Sequence, residues 1–146
     1  MKVVIANDHG AVELAKRVID HLKDRQIEVK YLGTDKHESV DYPDQAEKAV
    51  LEYRTGGYNF GILLCGTGIG ISISANKMKG IRCALVHDVY TAKMTKAHNN
   101  ANFIALGGRV EYHDSIEDIL DAFIDTEFEG GRHLARIEKM MALEGK

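Results

Sequence analysis

This chain has no tryptophan, a single proline and only two cysteines, Cys65 and Cys83. Two cysteines cannot build a disulfide framework. Neither belongs to a CxxC pair, and no His or Cys cluster has zinc spacing. In a reducing compartment a bridge between the two is not expected. No stretch approaches the roughly 18 apolar residues that would span a bilayer. Met1-Lys2 runs directly into Val3-Val4-Ile5-Ala6, too short for a signal core, so the expected compartment is the cytosol, away from membranes. An excess of one charge is missing too. The formal net charge of −3 argues against nonspecific nucleic-acid binding as the main task. No repeat, low-complexity segment or linker breaks the chain, so residues 1–146 are expected to form one domain. A domain of that size buries roughly 70% of its unfolded surface and needs neither disulfide nor metal to fold.

What is present is a regular alternation. Lys2–Ala6, Glu28–Leu32, Phe60–Cys65, Cys83–His87 and Asn102–Leu106 read as strands. Between them Ala11, Leu14, Val18 and Leu22 repeat at helical spacing, as do Ala46, Ala49, Val50 and Tyr53 behind Pro43, which suits a first helical turn. A helix over Val89–Ala97 has a weaker apolar pattern. Ile116, Ile119, Leu120, Phe123 and Ile124 form a clear stripe, and a last helix is expected from Gly131 to Leu143. Gly56-Gly57 reads as a turn. Continuous apolar strands alternating with helices imply an α/β, three-layer Rossmann-like sandwich around a five-stranded parallel sheet. Ligands in such sheets bind beyond the carboxyl ends of the strands. Asp8-His9, Cys65 to Gly70, His87-Asp88 and Gly107-Gly108-Arg109 all follow strands and are expected on that rim.

The run Cys65-Gly66-Thr67-Gly68-Ile69-Gly70 carries the most information. A thiol stands where a strand ends, and alternating glycines stand where a helix begins. Glycines let backbone N–H groups converge, and a helix N-terminus adds partial positive charge. The combination reads as an anion cradle with a cysteine at its lip, where the field favours thiolate. The spacing is G-x-G-x-G after the third strand, not the dinucleotide fingerprint G-x-G-x-x-G, and the Walker A lysine is missing. Cys83, inside an apolar strand, reads as a small buried hydrophobe.

His98 is the natural partner for Cys65. It belongs to His98-Asn99-Asn100-Ala101-Asn102, a cluster of side chains suited to gripping sugar hydroxyls. Arg132 and Arg136 share one helix face, and two forked guanidiniums suit a phosphate. They lie far along the chain from the rim, so that tail helix is expected to reach the rim of a second subunit more easily than its own. The residues alone leave three classes open: a proton-transferring isomerase, a Cys–His hydrolase or transferase, and a noncatalytic anion or nucleotide binder.

Taken together, these segments resemble type B ribose-5-phosphate isomerase, in the broader family that includes galactose-6-phosphate isomerase subunits. The matching segments are Asn7-Asp8-His9-Gly10, Asp41-Tyr42-Pro43-Asp44, Cys65 to Gly70, Ser74-Ala75-Asn76-Lys77, Gly80-Ile81-Arg82, His98 to Asn102, Leu106-Gly107-Gly108-Arg109 and Phe128 to His133. The resemblance implies a homodimer, sometimes paired into tetramers, with active sites at the subunit interface. It implies interconversion of a sugar phosphate aldose and its ketose without a metal or organic cofactor. By matching position, Cys65 would be the base and His98 would assist ring opening. Asp8, Tyr42 and Asn99 would orient hydroxyls. Thr67 would help near the ring or the enediolate, and Gly66, Gly68, Ile69 and Gly70 would bind substrate. His9, Arg109, Arg132 and Arg136 would hold phosphate, the last two from the neighbouring chain. One subgroup of the family has a glutamate where Ile71 stands here, which leaves Cys65 as base in this chain. Ribose 5-phosphate is the expected substrate, with allose or galactose 6-phosphate as the alternatives.

Overall fold

A computed structural model describes residues 1–146. Its centre is a parallel sheet of β1 (Lys2–Asn7), β2 (Glu28–Tyr31), β3 (Phe60–Cys65), β4 (Cys83–Leu85) and β5 (Phe103–Gly107), in the order β2-β1-β3-β5-β4. Six helices flank it: α1 (Val12–Asp24), α2 (Tyr42–Arg54), α3 (Ile69–Asn76), α4 (Val89–Ala97), α5 (Ile116–Ile124) and α6 (Arg132–Met141). Short 3-10 turns occupy His9–Ala11 and Ala142–Gly145.

The alternation of side chains along a strand makes the three layers. Val3, Ile5, Ile62, Leu64, Ile104 and Leu106 face one side, where Ala15, Val18 and Leu22 of α1 and Ile119, Leu120 and Phe123 of α5 cover them. Val4, Ala6, Leu63, Phe103 and Ala105 face the other, under Ala46, Ala49 and Val50 of α2 and Ile71 and Ala75 of α3. Both faces of β1, β3 and β5 are buried, which is why those strands read as nearly unbroken apolar runs, while the edge strand β2 is mostly exposed. Each such Val, Leu, Ile or Phe contributes about 1.5–3 kcal/mol of transfer free energy.

The differences from the sequence reading have local causes. β4 stops at Leu85, not His87, because the chain turns into a capping box. The Asp88 side chain accepts from Thr91 N at 2.6 Å, and the Asp88 N–H donates to Thr91 Oγ1 at 3.2 Å. That cap also fixes α4 despite its weak apolar stripe. β5 begins one residue later than expected, at Phe103, and the Asn102 side chain before it accepts from Arg82 N at 2.8 Å and donates to the Gly80 carbonyl at 2.8 Å. Gly56 and Gly57 both take positive φ, as a tight turn requires. The strand order reverses between β1 and β3, so the crevice expected for a ligand lies at their carboxyl ends.

Candidate active site

Three loops meet at the carboxyl ends of β1, β3 and β5, and missing side chains let them touch. A Cβ on Gly10 would come within 2.8 Å of Gly66 N, one on Gly108 within 2.4 Å of Gly10 O, and one on Gly107 within 2.7 Å of Thr67 Cα. Backbone bonds lock the contact: Gly108 N donates to Cys65 O at 2.8 Å and Arg109 N to Gly66 O at 2.9 Å.

Cys65 is the last residue of β3 and packs on the face shared with Ala6 and Ile71. The expected projection to the rim is therefore partial. The first turn of α3 covers the thiol and leaves the residue 4% exposed. The Gly68 N–H donates to Cys65 Sγ at 3.1 Å. Gly68 reaches that position with φ +79°, and a Cβ there would meet the Leu106 carbonyl carbon at 2.9 Å, so the residue must be glycine on two counts. The start of α3 therefore aims a backbone donor at the sulfur.

The neighbours are polar and fixed. Asp8 is buried, and its Oδ1 accepts from Gly10 N at 2.8 Å. His9 Nδ1 accepts from Val40 N at 3.2 Å, which leaves Nε2–H as the free donor. Thr67 Oγ1 accepts from Ile69 N at 3.2 Å, so its own hydrogen is available. The Tyr42 ring lies against the first turn of α3, where a Cβ on Gly70 would come within 2.7 Å of it. The Arg109 side chain lies over Gly66, its guanidinium 3.6 Å from where a Cβ would be. One chain thus brings together Asp8, His9, Tyr42, Cys65, Gly66, Thr67, Gly68, Ile69, Gly70 and Arg109.

It does not bring His98 to Cys65. In the β3–β5 register Gly61 pairs with Phe103 and Cys65 with Gly107. Four residue steps of about 3.3 Å separate those pairs. His98 precedes β5, closing α4 at the amino end of the sheet, whereas Cys65 closes β3 at the carboxyl end. The pairing expected from sequence is therefore corrected within a single chain, because residues before and after parallel strands fall at opposite ends. Asn99 goes with His98, its carbonyl accepting from Arg82 Nε at 3.1 Å. The α6 helix starts there too, since Glu129 N donates to Ala97 O at 3.0 Å. Arg132 and Arg136 are both exposed on α6. His98, Asn99, Arg132 and Arg136 thus form a second group, apart from the first.

Two features escaped the sequence reading. Tyr112 Oη accepts from Gly107 N at 2.7 Å and so takes the place of the strand that β4 stops providing. Burial pushes its phenol up, and the nearby Cys65 charge adds to that. The second is the stack of His133 on His98, with ring centroids 4.2 Å apart. Neither has a spacing signature, because each joins residues through tertiary packing. Cys83 is inert as expected: burial pushes its thiol far up, and Asn76 clamps its backbone with bonds of 2.7 and 2.8 Å. Asp88 stays on the rim but serves the α4 cap, its carboxyl held below the usual range by Thr91.

A sequence profile of the Ribose/Galactose Isomerase family matches residues 3–140. Ribose-5-phosphate isomerase B of Escherichia coli (strain K12) is 39% identical over 143 residues, covering 98% of this chain and 96% of that protein. The structure of Clostridium thermocellum ribose-5-phosphate isomerase B is similar at a TM-score of 0.95 and 46% identity, covering 99% of this chain and 98% of that one. That of the Mycoplasma genitalium ribose-5-phosphate isomerase B with bound ribulose-5-phosphate is similar at 0.91 and 37% identity, covering 99% and 97%.

Proposed function

The chain belongs to the ribose/galactose isomerase family, and from that premise we propose that it interconverts ribose 5-phosphate and ribulose 5-phosphate by proton transfer through an enediolate. The observation that carries this reading is the Gly68 N–H at 3.1 Å from Cys65 Sγ, under the start of α3. Cys65, acting as a thiolate, takes the proton from C2 of the open-chain aldose. The electron pair moves into a C1=C2 bond and leaves negative charge on O1. The proton on O2 passes to O1, and Cys65 returns its proton to C1, so the carbonyl ends at C2. Backbone N–H groups of the glycine turn and the Thr67 hydroxyl are donors already in place for that charge. A base with a pKa near the working pH suits the task.

Asp8 and Tyr42 orient hydroxyls, and His9 and Arg109 contribute to phosphate binding. Ring opening, a third hydroxyl contact and the remaining phosphate contacts fall to His98, Asn99, Arg132 and Arg136. In one chain these stand at the other end of the sheet, so a second copy supplies them. The working unit is then a homodimer with two shared sites, α6 of each subunit reaching the other's rim, and pairing into tetramers adds no residue to the chemistry. We place this work in the cytosol, in pentose phosphate metabolism; no helix of the chain is long and apolar enough to cross a membrane. The galactose in the family's description favours a six-carbon sugar phosphate as second reading.

A coupled assay over ribose, allose and galactose phosphates, run also in heavy water, tests both parts. Turnover is expected with ribose 5-phosphate, with solvent deuterium entering at the transferred position. Faster turnover of a six-carbon substrate would move the assignment to that sugar. Strict retention of hydrogen over many turnovers would remove the thiol base.

A further inference from the structure

We propose that His98, Glu129 and His133 form a clasp for a zinc-class divalent cation, and that the bound ion takes His98 out of service. Glu129 Oε2 lies 3.3 Å from His133 Nε2 and 3.7 Å from His98 Nε2. One donor atom from each of the three residues falls within 4.8 Å of the others. Both contacts are wider than the roughly 2.7–2.9 Å of a charge-assisted hydrogen bond. They are close to what a shared ion needs. Zinc bonded at about 2.0–2.1 Å in tetrahedral geometry sets its donors about 3.3–3.4 Å apart. Two imidazoles and one carboxylate with a fourth position open are a zinc-type donor set.

The clasp is held by its backbone. Gly130 and Gly131 take φ of +65° and +55°, a reversal that sets Glu129 and His133 on one side, and His133 N closes it by donating to Gly130 O at 3.1 Å. The 3.0 Å bond from Glu129 N to Ala97 O fastens the same turn beside His98. His133 is 6% exposed and cannot swing away. The two rings stack within 11° of parallel, so one ring must turn for both nitrogens to face one ion. His98, with its side chain 36% exposed, has room to do so. Arg132 and Arg136 on the same helix oppose a cation, which sets the ion up as a reversible occupant and not a resident one. Binding stands on this geometry alone. The loss of activity rests on the ring-opening role given to His98 above.

Cobalt(II) is the probe for binding and zinc for inhibition. Titrating cobalt into the full-length protein should produce the intense visible bands of a four-coordinate ion. Glu129→Gln and His133→Asn should each weaken binding at least about tenfold. Cys65→Ala should keep the bands. Zinc should slow the wild type, a chelator should restore it, and Glu129→Gln should hold its own zinc-free rate at the same zinc concentration. Absence of the bands, their persistence in both clasp variants, or their loss with Cys65→Ala would overturn the site. Bands with undiminished turnover in zinc would overturn the inhibition. A protein inactive on every sugar phosphate but showing the mapped bands would refute the proposed function and leave the clasp standing.

Discussion

The two ends of the sheet solve different problems with different materials. At the carboxyl end, backbone does most of the work: Gly10, Gly66, Gly107 and Gly108 pack loop against loop, and the Gly68 N–H is fixed on the sulfur. At the amino end, side chains do it: His98, Asn99, Arg132 and Arg136 stand on a helix end and a tail helix, half-exposed or exposed. A proton-transfer centre tolerates little displacement, because misplacing the reacting atoms costs rate steeply. Groups that grip hydroxyls and phosphate can be longer and looser. In the proposed function, rigid chemistry at one end and adaptable grips at the other would make a whole site when two copies place unlike ends together, an isologous contact that would yield two sites per dimer.

The largest expected effect comes from removing the chemistry of the carboxyl end. Cys65→Ala should lower kcat by about 10²–10⁴-fold, the range for loss of a general base, while thermal unfolding changes little. Near-normal turnover would take Cys65 out of the reaction. At the amino end, Arg132→Ala should cost about 1.5–3 kcal/mol of charge-assisted binding, seen as a roughly 10–100-fold rise in KM with kcat less affected. An unchanged KM would break the division of labour between the ends.

Gly68→Ala tests whether the backbone cradle is as strict as the contacts suggest. Its φ of +79° and the 2.9 Å approach of a Cβ to the Leu106 carbonyl carbon predict a loss of about 1–3 kcal/mol by denaturant unfolding. Activity should fall with it, since the N–H on sulfur moves. The smallest effect belongs to a pair at neither end. Arg17 donates twice to Glu117, both bonds at 2.6 Å, and holds that carboxyl down from its ordinary 4.5 to about 2. A depressed carboxyl adds stability that is present above about 4.5 and is lost as pH falls through about 2. Arg17 is exposed and Glu117 partly so, and solvent screens the pair, so Glu117→Gln should cost under about 1 kcal/mol at pH 7. The gap between variant and wild type should close in acid, without change in kcat at neutral pH.

Much of this was legible in the chain, for reasons that differ by residue. The strands were readable because both faces of a parallel sheet are buried, so Phe60–Cys65 and Phe103–Gly107 are nearly unbroken apolar runs. The cradle was readable because its parts are consecutive, from Cys65 to Gly70. The end of β4 was not, since Val86 and His87 look like strand and only the Asp88–Thr91 cap diverts them. The position of His98 relative to Cys65 within one chain was the least legible. Its side-chain chemistry suited the partnership, but its place before a parallel strand put it at the far end. Tyr112 and His133 had no local pattern to announce them, because Tyr112 acts on Gly107 across a loop and His133 meets His98 from another helix.

Mixing subunits tests the pairing of unlike ends most directly. Cys65→Ala and His98→Asn proteins, each inactive alone, should regain about a quarter of wild-type activity after dissociation and random reassociation, because every heterodimer then carries one intact site. Reassociated heterodimers that stay inactive would place Cys65 and His98 in the same subunit's site and contradict the shared arrangement.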